Sequence, residues 1–307
     1  MQDTGSPAVG RRRLAQELRR LRSAAGLTIF EVADRLECSA GKVSRIETGA
    51  VGVRVQDVRD MLDLYGVSGT QREDLVDLVR LARQRAWWND YTDVVPADSA
   101  RFYGLEDGAA AIQQHSVALI PGLLQTPAYA RALISAAAGV PAEVIERRIE
   151  LRLRRQRLLA RPQPPRLHVL LDEAALHRLV GGPEVMAGQL DHLVEVAGLP
   201  DVRLQVLPFT VGAYSAVGVA FTVFGFADPA DPQVVYLEQF TRNTLLERAE
   251  EADRYTAAFA GAANQALDPG RSVALVSQLA GSLRHPAPTG RNHRPVPRAG
   301  TPATRPR

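Results

Sequence analysis

"GLTIFEVADRLECSAGKVSRIETG", residues 26–49, decides how the N-terminal part of this 307-residue chain is built. Thr28 opens a helical segment and Glu31 follows three residues later, the spacing at which a cap hydroxyl and a carboxylate satisfy each other's backbone amides. Ile29, Val32, Ala33 and Leu36 line one face of that segment. Ser39 caps a second segment that ends before Gly49. On it Val43 and Ile46 share one face with Glu47 beside them, while Ala40, Gly41, Ser44, Arg45 and Thr48 share the opposite face. Two short helices joined by a turn near Glu37–Ser39 make a helix-turn-helix. The outward face has small residues at its N-terminal end, as a helix entering the major groove of double-stranded DNA requires. A carboxylate among core positions needs a partner, and Arg22, on the edge of the preceding apolar stripe, supplies one. Such an ion pair adds little net stability but fixes how two helices pack.

Working outward, Leu14, Leu18, Leu21 and Ala25 recur at helical spacing from Arg11, and Gly26 ends that helix as a left-handed cap. A fourth pattern uses Val55, Val58, Met61, Leu62 and Tyr65 and stops at Gly66; a fifth uses Leu75, Leu78, Val79 and Ala82. Residues 11–85 are therefore expected to form an all-α module of five helices, after a small, polar arm at 1–10 expected to be disordered. "WWNDYTDVVPADS" (87–99) breaks the pattern, so 86–110 reads as a connector whose aromatics pack on a neighbouring domain.

From 111 to 281 the pattern is mixed. "SVALIPGLL" (116–124), "LHVLLDE" (167–173) and "VRLQVLPF" (202–209) read as strands, and "VAFTVFGF" (219–226) and "QVVYLEQ" (233–239) as a strand pair. Residues 127–137, 141–160, 183–197, 247–265 and 269–280 read as helices, so this part is expected to be an α+β domain. Residues 282–307 are rich in Pro and Arg with almost no apolar residues, and are expected to be disordered.

Composition adds bounds. No apolar run is long enough for a membrane span, the N-terminus lacks the apolar core of a secretory signal, and the single Cys38 cannot form an internal disulfide; together these point to a reducing cytoplasm. All but one of the 37 basic residues are Arg, a bias that reflects a GC-rich genome, and Lys42 is the only Lys. Net charge runs from +3 over residues 1–85 through −6 over 86–281 to +6 over the tail.

The quoted stretch resembles the helix-turn-helix of the phage-repressor-like XRE (Cro-type) family, through Gly26, Leu27, Ala33, Leu36, Val43, Ile46, Glu47 and Gly49. The resemblance implies pairing of Glu47 with Arg22. It also implies base reading from Ala40, Gly41, Ser44 and Arg45, and phosphate contacts from Thr28, Ser39, Lys42 and Thr48. Members often carry longer polar side chains at the positions of Ala40 and Gly41, which leaves Arg45 with most of the direct readout. Further along, "LIPGLLQTPAYARALI", "RRIELRLRRQRLL", "LDEAALHRLVGGPEVMAGQLDHLVEVA" and "VVYLEQ" resemble successive motifs of the antitoxin-like helix-turn-helix regulators of filamentous high-GC bacteria. That likeness implies a DNA-binding transcription regulator, a homodimer on an operator, whose C-terminal domain has no assigned function and binds an effector or a small protein encoded by an adjacent gene. The alternative is an antitoxin-like protein whose main role is capture of that small partner, with DNA binding autoregulatory. Neither reading involves a catalytic residue, a metal or a cofactor.

Other motifs carry weaker signals. "GKVS" (41–44) lacks the first Gly of a phosphate loop, since Leu36 stands there. Ser39 and Lys42 match an SxxK pattern but lie on a groove-facing helix. His168, His177 and His192 have no metal-ligand spacing, and Asp172–Glu173 reads as an acidic helix start. In the Arg-rich helix 146–161, Glu143 stands four before Arg147 and Glu150 four before Arg154, and Val144, Ile145, Ile149 and Leu153 supply an inner face, so it reads as a solvated structural helix rather than a second nucleic-acid surface. The six Arg of the tail are equally compatible with nonspecific DNA affinity and with simple solubility.

Overall fold

The computed structural model describes residues 6–95, 97–229, 231–239 and 243–285. Five helices form the N-terminal module: α1 (Pro7–Ala24), α2 (Ile29–Arg35), α3 (Ala40–Glu47), α4 (Val55–Leu64) and α5 (Gly69–Ala82). Leu14, Leu18, Val32, Val43, Val58, Met61, Leu62 and Val79 close one core between them. The boundaries follow local chemistry. Thr28 and Glu31 form the reciprocal cap, Ser39 accepts from the Lys42 amide, and Gly26, Gly49 and Gly66 take the left-handed conformation after α1, α3 and α4.

Two expectations about boundaries are corrected. The arm at 1–10 does not stay unstructured: Ser6 caps α1, which begins at Pro7, and only residues 1–5 lie outside the described residues. The connector at 86–110 is also structured. A 3-10 turn covers Trp87–Tyr91, and α6 (Ala97–Gly108) packs beneath α1. The Ser6 hydroxyl donates to the Gly104 carbonyl at 2.8 Å, and Val9 is buried beside Gly108. A Cβ at Gly104 would collide with Ala8, so the helices meet this closely because one side has no side chain. Trp88 is buried against the same glycine, and Phe102, on the other side of α6, packs on Phe224 and Tyr236. The N-terminal module is thus seated on the C-terminal domain through the first two turns of α1.

That domain contains β1 (Ala111–Ser116), α7 (Pro127–Ser135), α8 (Ala142–Gln156), β2 (Arg166–Asp172), α9 (Ala174–His177), α10 (Pro183–Val196), β3 (Val202–Leu207), β4 (Phe221–Gly225), β5 (Val234–Leu237), β6 (Thr244–Leu246), α11 (Ala249–Gln265) and α12 (Pro269–Arg284). The six strands form one sheet in the order β3-β2-β1-β4-β5-β6. β1, β2 and β3 are parallel and joined by helical crossovers; β4, β5 and β6 continue as an antiparallel meander. Alternating residues feed two cores. Leu167, Val169, Leu171, Leu204 and Val206 face α10 and α12, while Leu170, Leu207, Phe221, Val223 and Val235 face α11. Both faces are covered, which is why β2 reads as an almost unbroken apolar run. Residues 286–307, most of the expected tail, lie outside the described residues, and α12 carries order to Arg284.

One strand is displaced from its expected position. "SVALIPGLL" is not extended; the strand is the preceding AIQQHS, and Ile120, Leu123 and Leu124 are buried in a loop and 3-10 turn after it. Among the polar residues of this central strand His115 meets specific neighbours, while the buried side-chain oxygen of Gln113 has no hydrogen-bond partner among the described residues. His115 lies between the Val219 carbonyl at 2.6 Å and the Tyr214 hydroxyl at 3.2 Å, and that hydroxyl donates to Asp172 at 2.9 Å. On the adjacent strand His168 contacts Gln205 and the edge of Phe259.

Two outcomes follow. Gly104→Ala should destabilise the full chain by about 1–3 kcal/mol through overpacking, and adding Ala8→Gly should recover part of that loss; denaturant melts of the singles and the double read the coupling. Burial holds both His115 and His168 below the ordinary histidine pKa, so the unfolded chain takes up protons first as pH falls. Stability should therefore be full above about pH 6.5 and decline below it. Urea midpoints between pH 5 and 8 should show that slope, flattened in His115→Gln.

Candidate nucleic-acid interface

The inner face of α3 is fixed to α1 by a two-pronged ion pair. Arg22 Nε donates to Glu47 Oε1 at 2.7 Å and Nη2 to Oε2 at 3.0 Å, while Nη1 donates to the Leu27 carbonyl at 2.8 Å. The Glu47 side chain is only 3% exposed, so the fork is nearly dry. The hydrogen bond to Glu47 holds the Arg22 pKa above its usual range. Tyr65 completes the corner: burial, and then the charge of Glu47, push its phenol pKa up, and its hydroxyl has no hydrogen-bond partner among the described residues. Two charges and a phenol packed together leave α3 little freedom to rotate about its axis.

That orientation sets what faces out. Gly41, Arg45 and Thr48 are exposed; Ala40 and Ser44 are half-buried, and Ala40 also touches the edge of the core. Among the described residues the Arg45 guanidinium has no partner, so the longest donor on this face is free. Ala40 and Gly41 are small enough for a close approach at the N-terminal end of α3. The turn before α3 is tight: Glu37 takes a left-handed φ of 47° with no glycine to ease it, and the half-buried Cys38 packs against the core.

The four expected phosphate donors separate by chemistry. Ser39 accepts the Lys42 amide at 3.1 Å, which leaves its own O–H free to donate outward. The Thr28 hydroxyl donates to Glu31 at 2.8 Å, and the Thr48 hydroxyl donates to the Ser44 carbonyl at 2.9 Å. Because a phosphate oxygen can only accept, those two threonines would have to give up internal hydrogen bonds to reach one. Lys42 Nζ is bonded to Asp57, at the start of α4, at 2.8 Å, with two donors left over. No spacing rule pairs residues 42 and 57, so sequence reasoning missed this contact.

It also missed the use of the Arg11–Arg13 run. Arg11 reaches the Ala82 carbonyl. Arg12 is buried between the domains, donating to the Pro232 carbonyl at 2.7 Å, standing 3.5 Å from Glu247 and lying over the Phe226 ring; burial lowers its pKa. Arg13 pairs with Asp228 and Asp231. These three arginines face the protein rather than DNA.

The Arg-rich helix α8 differs from its expected pattern. Arg147 pairs with Glu150 and Asp93, and Arg154 pairs with Asp90, in place of the i, i+4 partners. Leu153 is exposed at 37%, whereas Leu151 is buried against Tyr91 and Val94. Arg152 turns inward to Gln125, and burial lowers its pKa to about 10; Arg155 turns inward to Glu106. His177 and Glu173 contact each other, and Asp172 and Glu173 cap and anchor the turn after β2. Among the described residues no group of three or more His, Cys, Asp or Glu is placed to hold a metal, and no helix is long and apolar enough to cross a membrane.

Comparison with known families divides the chain at the same place. A family model described as a domain of unknown function (DUF5753) matches residues 99–278, and a helix-turn-helix domain model matches residues 13–75. No curated protein and no solved structure matches. The helix-turn-helix match supports DNA binding by the N-terminal module.

Glu47→Ala strands the Arg22 charge and should cost about 3–5 kcal/mol in the full chain, less in so far as water reaches the guanidinium. Replacing both residues by apolar ones of similar volume should cost less than either single change. Urea melts with circular dichroism separate the two cases; small, additive effects would show that the pair is not coupled.

Proposed function

We propose that this chain, which belongs to the DUF5753 family and carries a helix-turn-helix ahead of that domain, is a sequence-specific double-stranded DNA-binding regulator of transcription in the cytoplasm. The observation that carries this reading is the free Arg45 guanidinium on the outward face of α3, a helix whose inner face is locked by Arg22 and Glu47. A guanidinium matches the paired acceptors on the major-groove edge of guanine, and a contact of this kind is worth about 1–3 kcal/mol of discrimination. Gly41 and Ala40 let the helix end sit deep in the groove, with Ala40 suited to a thymine methyl and Ser44 at the side. Ser39 and Lys42 flank it with donors for the backbone, beside the positive end of the helix. The XRE-type resemblance supports a homodimer on a pseudo-palindrome with half-sites about one helical turn apart. The reading requires neither catalysis nor a cofactor.

A second role, engagement of a small protein by the C-terminal domain, is favoured by one surface. Leu179, Phe209, Val217 and Val219 are all at least 45% exposed, in loops at the end of the sheet where β2 and β3 finish and β4 begins. This fits both a partner-sensing regulator and the antitoxin-like alternative.

Gel-shift titrations against a set of mutated operators, at several salt concentrations, test the DNA reading. Arg45→Ala should relax preference at one base pair of each half-site and leave nonspecific binding almost unchanged. Lys42→Ala should weaken all sequences alike and lower the salt slope by about 1 for each phosphate the side chain no longer neutralises. If Arg45→Ala weakened every sequence equally, α3 would not be the reading helix in this orientation.

A further inference from the structure

Where the 3-10 turn Trp87–Tyr91, α6 and the end of α8 meet, the surface opens into a cavity of about 210 Å³. Its floor is the buried Leu158, and its walls carry four guanidinia, those of Arg154, Arg155, Arg157 and Arg161, against two carboxylates, Glu106 and Asp107. Both carboxylates are already engaged. Glu106 accepts from Arg155 through both oxygens, at 2.8 and 2.7 Å, in a pair whose side chains are 10% and 5% exposed. Asp107 accepts the Trp87 indole N–H at 3.0 Å and a second bond from Arg161. Arg154 lies over the Trp87 ring, 5.3 Å from its centroid, and uses one nitrogen on Asp90 at 3.2 Å. The side chain of Arg157, the first residue of the 3-10 turn Arg157–Ala160, has no hydrogen bond, ion pair or ring contact among the described residues. Acceptors on the walls are therefore largely occupied, while N–H donors of Arg154, Arg157 and Arg161 remain.

We propose that this cavity binds a phosphate-type oxyanion, with Arg157 as its principal contact and Arg154 and Arg161 closing on it from either side. Three reasons select this ligand class. A guanidinium presents five N–H groups in a planar fork, and forks converging from several sides suit a tetrahedral anion whose oxygens all accept. The volume is below the roughly 300–1,000 Å³ usual for organic ligands, so the charged group itself, and at most a small attached body, fits inside. The fixed ion pairs around it hold the walls in place before the anion arrives, which limits the ordering cost of binding. Trp87 leaves an aromatic edge at the wall, so the anion is either free phosphate or the phosphoryl end of a small organic molecule. The site does not rest on the DNA reading of the N-terminal module.

Calorimetric titration of the full chain with inorganic phosphate and with phenyl phosphate, against sodium chloride at matched ionic strength, tests the assignment. Saturable binding of at least one phosphate species beyond the chloride control is expected. Tighter binding of phenyl phosphate would assign the site to an organic phosphoryl group, and tighter binding of inorganic phosphate to the free anion. Arg157→Gln should weaken binding at least tenfold and Arg157→Lys less, because an amine keeps the charge but loses the fork. Arg254→Gln, an exposed arginine on α11, should change nothing. Because the Arg157 side chain is exposed and makes no hydrogen bond or ion pair among the described residues, its variants should melt like the parent, which keeps the comparison readable. No saturable binding of either species, or equal affinity in Arg157→Gln, would overturn the proposal. So would a loss of DNA affinity in Arg157→Gln with phosphate binding intact, which would make Arg157 a DNA contact instead.

Discussion

Helix α1 belongs to two cores at once, and most of the molecule's organisation depends on that. Its middle and C-terminal turns supply Leu14, Leu18 and Leu21 to the helix-turn-helix core and Arg22 to the fork with Glu47. Its first turns press Ala8 and Val9 onto Gly104 and Gly108 of α6, which in turn rests Phe102 on the sheet. A rigid helix with both ends committed transmits position from one to the other: the attitude of α3 relative to the C-terminal sheet is set by the same eighteen residues. The arrangement demands small residues where the two helices meet, and the chain provides them on both sides.

The seam between the domains is more polar than either core. Arg12 is 8% exposed and gains one good hydrogen bond and a distant carboxylate, while two of its nitrogens have no hydrogen-bond partner among the described residues. A buried cation so sparsely served costs stability compared with an apolar residue of the same shape. The cores of the two domains are closed mainly by apolar side chains. Stability is therefore uneven: the seam is the part of the fold held with least surplus, and local opening there separates two units that each retain a core.

The helix-turn-helix was legible in the sequence because its determinants are local. Caps at Thr28 and Ser39, glycines at 26, 49 and 66, and an apolar period of about 3.6 act within a few residues of one another. Even the Arg22–Glu47 contact could be inferred, since a carboxylate on an apolar face demands a partner. The parallel strands β2 and β3 were legible for the same reason, as apolar runs. What escaped was whatever depended on distant neighbours. β1 reads as polar, and of its polar residues His115 is matched by partners that arrive later in the chain, while the apolar run after it packs as a loop. The arm and connector looked featureless because Ser6, Gly104 and Gly108 show their complementarity only when brought together across about a hundred positions. Helix α8 looked like a solvated surface because i, i+4 charge spacing is common, while the inward turn of Arg152 and Arg155 is set by Gln125 and Glu106.

The contact between Lys42 and Asp57 has a consequence outside structure. Lys42 carries the only side-chain amine in the chain. An amine-directed acylating reagent therefore has a single side-chain target, at the flank of α3, and its attachment removes one positive charge and leaves the Asp57 carboxylate without its counter-ion. The reactivity of that one nitrogen measures how often it leaves its carboxylate, and so how often that corner of α3 is open to anything else.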